Sequence, residues 1–405
     1  MASHAKPAQA QDFGDMPMFS KELAQRVFEQ TWSIIREHYI EPTTAKRALE
    51  PQRERLLEKA KAAATAEAFY AVMRELVGAL ADDHSAFLPP RQARAVQSQS
   101  VGNMGPQVFG LAANLRQMPD HCVLVLQTIP NTSTAQAVRP RDCIVAVNGL
   151  VLREGVATSR LLFGGAGQMV LTVRAPSGLT RTVVLEREAF HAGRLPIPTH
   201  AQLIEPGIGY LAIYDFMSFS TALAARDALR QLLRHHPQGL IVDVRANDGG
   251  VIGQMLETLA LFLDGGSAGT YLLRNNRTIH YSVPQNKVIP ELADMPVVVL
   301  ISETTQSAGE LFALNMQWHR RAHLVGTPTA GNVEMVRDFR LADGSLLWLA
   351  VGHYRSPSGK PLESVGVQPN VTIALPWWRY ALTEDPHIRA AIRLIRQTVQ
   401  RSPAE

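Results

Sequence analysis

The most constraining feature of the chain is a pair of mainly apolar runs in its second half. They are "GLIVDVR" (residues 239–245) and "MPVVVLIS" (residues 295–302), each the length of one strand. Because adjacent positions in each run are apolar, with no alternation of apolar and polar residues, both are typical of parallel strands covered on both sides of a sheet. Segments with helical patterns, "STALAARDALRQLLRHH" and "GGVIGQMLETLALFL", lie before and after the first run. This alternation predicts an α/β domain with a parallel sheet.

The regions before this domain have different patterns. Residues 20–92 place apolar side chains at helical spacing, as in "KELAQRVFEQTWSIIREHY", and predict a small helical bundle. Residues 101–188 contain short β-rich runs such as "CVLVLQTI" and "QMVLTVRA", which predict a compact β-rich module. We therefore expect five parts: a disordered leader (1–16), an N-terminal helical bundle (17–95), a β-rich domain (100–190), an α/β core (191–380) and a C-terminal helix (381–405).

Composition excludes several classes of function. A content of 46% hydrophobic and 19% charged residues is ordinary for a soluble protein with packed cores. The net charge of +4 is spread along the chain without a basic block, so we expect no nucleic-acid partner. No uninterrupted apolar run is long enough to predict a membrane-spanning helix.

Two features bear on the cellular compartment. The polar start "MASHAKPAQAQDFGD" is typical of the residues around a signal-peptide cleavage site, without the apolar region that should precede them. It predicts an exported protein, periplasmic or extracellular, whose signal peptide is not in this chain; the alternative is a disordered cytoplasmic tail. Cys122 and Cys143 form no Cys-x-x-Cys motif, and a buried, inert thiol is the default expectation for each. A disulfide between them is left open.

The stretch "ISETTQSAGELFALNMQ" (residues 301–317) has two interpretations. Ser307 and Glu310 form Ser-x-x-Glu before an apolar run, which is the pattern of a capping box at a helix start. A serine at the first turn of a helix that follows a strand is also where several hydrolases carry their nucleophile. From this stretch alone the cap is favoured. If Ser307 is the nucleophile, the N–H of Ala308 would point towards the oxyanion.

The stretch "VDVRANDGGVIGQ" (residues 242–254) is a second candidate. A buried strand ends, a Gly-Gly turn follows and a helix begins. A flexible helix start is the simplest interpretation, and phosphate binding is weak because the pattern matches no P-loop. A third interpretation is that Gly249 contributes its backbone N–H to an oxyanion hole, since glycine permits close approach.

Five motifs in this order resemble the C-terminal processing and tricorn-like serine peptidases: "GYLAIYDFMS", "GLIVDVRANDGG", "PVVVLISETTQSAGELFA", "RAHLVGTPTAGN" and "GVGVQPNV". The resemblance implies a crotonase/ClpP-like α/β core and makes the serine of Ser-Ala-x-Glu the nucleophile. It also implies that the β-rich domain is PDZ-like: "FGLAANL" is similar to a carboxylate-binding loop, and "RPRDCIVAVNG" is similar to a PDZ strand with Arg141 in place of the usual Gly.

The base distinguishes the two branches of this family. The C-terminal processing branch uses a lysine after the serine; here that position is Asn332, and no lysine lies between Ser307 and Lys360. The tricorn-like branch uses a histidine and a glutamate. "DDHSAF" places His84 at the first position and "SPSGKPLESVGVQPN" places Glu363 at the second. Taken singly, each residue is more often a surface or solvated group. Together with the serine motif they imply a Ser-His-Glu triad.

The resemblance therefore implies a serine endopeptidase that acts on peptides or unfolded protein, without cofactor or metal. Its PDZ-like loop, Phe109, Gly110 and Leu111, would bind a peptide C-terminus. Two rivals remain. One is an inactive peptide binder, which the loss of the lysine favours, and the other is an esterase with the same triad. Assembly into a homo-oligomer is left open.

Overall fold

A computed structural model describes residues 20–94, 107–156, 158–163, 165–191 and 198–401. The expected leader, residues 1–16, lies outside this part of the chain. The chain forms two compact units, which we describe separately: a smaller one from Met1–Arg94 and Val336–Val351, and a larger one from Ala95–Met335 and Gly352–Glu405. The sequence did not predict that the segment Val336–Val351 groups with the N-terminal region.

The smaller unit is mainly helical. Ser20 and Thr65 cap two of its helices, accepting hydrogen bonds from the N–H groups of Leu23 at 3.1 Å and Ala68 at 3.2 Å. A short strand follows the helices and pairs antiparallel with the first half of a long strand, placing Ala86 opposite Trp348. The elements are α1 (Lys21–His38), α2 (Pro42–Leu49), α3 (Arg53–Ala62), α4 (Ala66–Gly78), β1 (Ala86–Leu88) and the start of β18 (Leu346–Arg355).

The β-rich part of the larger unit is an antiparallel sheet in the order β3-β4-β5-β7-β8, with β6 on β5, beside a separate β2–β9 pair. Cys122 and Cys143 form a disulfide with their Cα atoms 5.7 Å apart, so the expectation of two free thiols is wrong. The elements are β2 (Gln107–Gly110), β3 (Ala113–Gln117), β4 (Val123–Thr128), α5 (Ser133–Ala137), β5 (Cys143–Val147), β6 (Leu150–Val151), α6 (Thr158–Leu162), β7 (Gln168–Arg174), β8 (Thr180–Glu186) and β9 (Glu188–His191).

The α/β part of the larger unit is built on a sheet in the order β10-β11-β12-β15-β16-β19. Only β10 is antiparallel to its neighbour, and the other five strands are parallel. The elements are β10 (Thr199–Glu205), β11 (Ile208–Ile213), α7 (Thr221–Leu233), β12 (Gly239–Asp243), α8 (Ile252–Leu259), β13 (Ser267–Leu273), β14 (Thr278–Ser282), β15 (Val297–Ile301), α9 (Ala308–Trp318), β16 (His323–Gly326), β19 (Val371–Thr372) and α10 (Pro386–Arg401). Strand β17 (Met335–Arg340) belongs, apart from its first residue, to the smaller unit.

Both faces of this sheet are covered, as the apolar runs predicted. Val242 and Val299 belong to one buried cluster, which includes side chains of α7, α8 and α9. Ile241 and Val298 belong to the cluster on the opposite face, which includes side chains of α10. Alternate residues of one strand therefore supply two cores, which explains why adjacent positions such as 241 and 242 or 298 and 299 are all apolar.

The β-rich part packs on the α/β part within the larger unit. The disulfide lies in a buried cluster with Ala246, Trp377 and Trp378. Arg141 donates to the carbonyl oxygen of Trp377 at 3.0 Å and to Asp385 Oδ2 at 3.1 Å. Its guanidinium also lies 4.9 Å from the centre of the Trp377 ring. The residue that departs from the PDZ-like strand pattern thus forms contacts between the two parts.

Candidate active site

The candidate site begins where two neighbouring parallel strands end. The loop after β15 is joined to the loop after β12 by Ser302 and Thr305, whose hydroxyls donate to the carbonyl oxygens of Arg245 and Val244, both at 2.9 Å. The N–H of Gln306 also donates to the carbonyl oxygen of Asn247 at 2.9 Å. The carboxyl ends of parallel strands are the usual place for a ligand site in such sheets. Here these bonds bring the stretch 301–317 next to the stretch 242–254.

Ser307 has an unusual backbone conformation. It is the N-cap of α9 with φ 52° and ψ −123°, in a region that residues with a Cβ rarely occupy. The serine and glutamate of the predicted capping box face each other. The capping box is formed, and its Glu310 carboxylate accepts from the Ser307 N–H at 3.2 Å. An ordinary cap does not require a strained backbone, which is more typical of a functional position.

Glu310 holds the backbone around Ser307. Its fully buried carboxylate accepts hydrogen bonds from the N–H groups of Ser307 at 3.2 Å, Gly331 at 2.7 Å and Asn332 at 2.8 Å, and from the Thr329 hydroxyl. Burial raises the pKa of Glu310 above its usual value, while these hydrogen bonds oppose the shift. The Glu310 side chain, which was expected to serve only a helix cap, therefore joins the turn at Ser307 to the segment 329–332.

Gly249 lies directly against Ser307. A Cβ at Gly249, where φ is 87°, would lie 2.5 Å from the Ser307 Cβ and 3.0 Å from the Ala308 nitrogen. Only glycine fits this position. The Gly249 N–H donates to Asn247 Oδ1 at 2.8 Å, so in this structure it already has an acceptor.

Ala308 is the first residue of α9. Its N–H is one of those that have no acceptor within a helix, and it lies at the positive end of the helix dipole. Together with the nearby backbone of Gly249, it forms a surface that suits a developing negative charge.

Glu363 and Asn332 lie on two segments that run beside each other. Glu363 Oε2 accepts a hydrogen bond from the Val333 N–H at 2.8 Å, and the Ser364 N–H donates to the Gly331 carbonyl oxygen at 2.7 Å. The Asn332 carbonyl oxygen accepts from the Ser307 N–H at 2.9 Å. The structure therefore brings Ser307, Asn332 and Glu363 into one continuous set of hydrogen bonds.

His84 belongs to the smaller unit. It is half-buried and lies in a turn closed by Asp82, whose Oδ1 accepts from the N–H groups of His84 at 2.8 Å and Ser85 at 2.5 Å. The Ser85 hydroxyl accepts from the Ala350 N–H at 3.1 Å. Asp82 rather than His84 makes the turn, so the imidazole is not the group that closes this junction.

The predicted carboxylate loop lies in the β-rich part. Leu111 is fully buried in its core, and the Ala112 N–H donates to the Thr134 hydroxyl at 3.0 Å. A Cβ at Gly110 would lie 2.4 Å from the Phe163 ring and 2.9 Å from the Leu162 carbonyl oxygen. Glycine at 110 is therefore required by contact with the end of α6. Phe109, the first residue of the loop, is half-buried.

Sequence reasoning missed three further features of the site. Asn247 is fully buried, donates to the Ile213 carbonyl oxygen at 3.0 Å, and lies 2.7 Å from where a Cβ of Gly309 would be. Arg116 pairs with Asp248 and donates to the Thr304 carbonyl oxygen at 2.8 Å. His353 pairs with Glu334 at 2.6 Å. The motif "RAND" is a local signal for Asn247, whereas the Arg116–Asp248 ion pair and the His353–Glu334 hydrogen bond join residues that are not adjacent in the sequence.

Comparisons with known proteins agree with the resemblance drawn from the motifs. Residues 207–373 match the sequence family described as Peptidase family S41. The chain is 25% identical over 390 residues to the carboxyl-terminal-processing protease of Picosynechococcus sp., covering 92% of this chain and 89% of that protein.

Two solved structures show the same fold. One is the photosystem II D1 C-terminal processing protease, with a TM-score of 0.61, 24% identity and coverage of 86% of this chain and 93% of that one. The other is the tricorn protease, with a TM-score of 0.51, 18% identity and coverage of 94% of this chain and 37% of that one. Within the mixed α/β core, residues 207–373 thus match a family of serine peptidases, and the core shares its fold with these two proteases.

Proposed function

We propose that the chain is a serine endopeptidase that cleaves peptides or the C-terminal regions of proteins with a Ser307–His84–Glu363 triad. The observation that carries this proposal is Ser307: a serine with φ 52°, at the start of a helix that follows a buried strand. A backbone held in a sparsely populated conformation is common where a group must be presented for reaction. Glu363, one hydrogen bond from the neighbouring Val333, supports a role near the nucleophile.

Each residue has one task in this mechanism. The Ser307 hydroxyl attacks the peptide carbonyl and gives its proton to His84, whose imidazolium Glu363 stabilises. The N–H of Ala308, with that of Gly249 if it leaves Asn247, stabilises the oxyanion. When the intermediate collapses, the amine leaves with the proton from His84. Water, deprotonated by His84, then releases the acyl group and regenerates Ser307.

Asn332 supports a histidine base. An amide side chain cannot accept a proton from serine at neutral pH, so a Ser-Lys dyad at this position is excluded by the sequence. His84 is the histidine at the motif position of the triad. The crotonase/ClpP-like form of the core is part of the same proposal.

The β-rich part is proposed to be a PDZ-like domain that captures a substrate C-terminus at Phe109, Gly110 and Leu111. Main-chain N–H groups and β-strand addition would supply the binding energy.

We further propose that the protein acts outside the cytoplasm. The Cys122–Cys143 disulfide supports an oxidising compartment, since such bonds are rare in reducing cytosol. No helix among the described residues is long and apolar enough to cross a membrane.

A fluorophosphonate probe and a peptide substrate test the proposal together. The parent protein should be labelled at Ser307, and Ser307→Ala should lose turnover by a factor on the order of 10⁶. His84→Ala should be about as damaging, because members of one triad are not additive. Adding Asn332→Lys to His84→Ala should not restore activity. A His84→Ala protein that keeps most of its turnover would show that the base lies elsewhere.

The loss of the lysine favours one rival function, a peptide binder without activity. That rival predicts no labelling of Ser307 and no hydrolysis, with binding of C-terminal peptides intact. An esterase would be labelled but would cleave ester and not peptide substrates in a panel of both.

A further inference from the structure

The segment 331–335 connects the nucleophile turn to Glu363. Asn332 donates to Glu310 Oε1 at 2.8 Å, and its carbonyl oxygen accepts from the Ser307 N–H at 2.9 Å. The next residue, Val333, donates to Glu363 Oε2 at 2.8 Å. A shift of this segment would therefore change the placement of Ser307 and of Glu363 together.

The segment lies at the edge of the larger unit, because the chain leaves that unit after Met335 and returns to it at Gly352. Gly331 and Val333 are buried, whereas Asn332 and Glu334 are half-buried. This alternation is that of an extended chain, so the side chains of Asn332 and Glu334 lie on the same face.

Two contacts hold the segment on this side. The Tyr271 hydroxyl donates to the Val333 carbonyl oxygen at 2.9 Å. Glu334 Oε1 lies 2.6 Å from His353 Nδ1, on the half of β18 that pairs with β13. Burial is the main cause that holds the pKa of Tyr271 well above its usual value, and the neighbouring Tyr354, Tyr281, Glu334 and Glu363 add to it.

The contact between His353 Nδ1 and Glu334 Oε1 determines which of the two atoms donates the hydrogen bond. A carboxylate only accepts, so His353 Nδ1 must carry the hydrogen. The His353 side chain is 29% exposed and that of Glu334 is 10% exposed, so the bond is largely shielded from water. Hydrogen bonds with an ionised partner in such surroundings are stronger than neutral ones.

We propose that His353 and Glu334 are positioning residues of the hydrolytic site. Their hydrogen bond fixes the segment 331–335, and through it the Asn332 carbonyl oxygen on Ser307 and the Val333 N–H on Glu363. The pair acts on the reaction only through these residues and does not itself touch the substrate. This inference rests on the proposed roles of Ser307 and Glu363.

Paired substitutions separate positioning from bulk stability. His353→Asn keeps a donor near the place of Nδ1, and Glu334→Gln keeps an acceptor; His353→Leu and Glu334→Leu remove them. We expect the Asn and Gln variants to stay within about threefold of the parent kcat. The Leu variants should lose roughly 10- to 100-fold in kcat, because a small misplacement of reacting groups is enough for such a loss. KM should change little, and the rate of fluorophosphonate labelling at Ser307 should fall by a similar factor.

The control is His280→Leu on β14, which belongs to the same sheet as β18 and is separated from it by β13. His280 is an exposed histidine bonded to Thr270 rather than to a carboxylate, and its loss should leave kcat unchanged. If the Leu variants fail to fold, Glu334→Asp draws the carboxylate back by one methylene and should lower kcat and labelling in the same way.

Three outcomes would overturn the inference. The first is parental kcat and labelling in folded Leu or Asp variants. The second is an equal loss in His353→Asn and His353→Leu, since the imidazole would then act through something other than this bond. The third is a fall in melting temperature without any change in kcat. A parent protein that the probe does not label would instead contradict the proposed function.

Discussion

Arg141→Gly tests whether the β-rich part is fixed on the α/β part by one side chain. Arg141 has φ 74°, where a residue with a Cβ is strained by about 1–2 kcal/mol relative to glycine. Glycine thus suits the backbone better than the native residue, and the substitution isolates the contribution of the side chain. That side chain donates to Trp377 and to the fully buried Asp385, and stacks on the Trp377 ring.

The size of the effect follows from these contacts. Two charge-assisted hydrogen bonds contribute roughly 1.5–3 kcal/mol each, and the cation–π contact about 0.5–2 kcal/mol. Asp385 would keep its bond to Arg245 at 2.8 Å, so no buried charge is left alone. After allowance for the relieved strain, we expect a net loss of about 1.5–7 kcal/mol in the free energy of docking. This corresponds to a population of undocked molecules larger by at least about tenfold.

Hydrogen exchange measures this directly. Amides in residues 377–385 should exchange faster in the variant, whereas β7 and β8 inside the β-rich sheet should keep their protection. Arg320→Gly is the matched control, because Arg320 also has positive φ, at 55°, but is exposed; it should change neither region. Unchanged exchange at 377–385 in Arg141→Gly would refute the reasoning and leave the docking to the disulfide cluster.

Three further outcomes can be measured. Gly249→Ala should lower turnover by at least about 10²-fold, because the new Cβ would collide with Ser307. Gly253→Ala is the control and should leave turnover unchanged, because its Cβ would enter open space. Equal turnover in the two variants would contradict the close packing of Gly249 on Ser307. Asp215→Asn should stabilise the protein at neutral pH, because burial raises the pKa of Asp215 to about 6. The contribution of the neutral carboxyl to the free energy of unfolding is present below about pH 4 and is lost as the pH rises through about 6. Urea unfolding should therefore show the variant gaining up to roughly 3 kcal/mol over the parent across that window. Gly110→Leu should slow cleavage of substrates recognised by their C-termini more than cleavage of short chromogenic peptides, and equal losses would argue against a separate recognition site.

The elements that the sequence predicted well are those set by local pattern. The runs at 239–245 and 295–302 contain alternating positions for two cores, and the structure uses both. The helix after Ser307 begins at Ala308, the alanine of the Ser-Ala pair in the motif. Periodicity and a helix-start signal are properties of adjacent residues, so one sequence is enough to find them.

The features that the sequence could not predict depend on distant residues. Whether Cys122 pairs with Cys143 depends on how β4 and β5 align, which places Leu124 opposite Cys143. The role of Arg141 depends on Trp377 and Asp385, more than two hundred residues away. The Glu334–His353 pair requires the chain to leave the larger unit and return. No local propensity encodes such contacts, because each is formed only when the strands have found their register.

The Ser-x-x-Glu pattern shows why one short motif supported two opposite interpretations. In a capping box the serine hydroxyl and the glutamate carboxylate both satisfy helix N–H groups. Here Glu310 takes the Ser307 N–H, while its remaining capacity goes to Thr329, Gly331 and Asn332. The glutamate therefore fixes the strained backbone of Ser307 and the segment 329–332 at the same time. Since the capping box is also formed, the two interpretations do not exclude each other: a serine that caps its helix in a strained, firmly held conformation can still present its hydroxyl for attack.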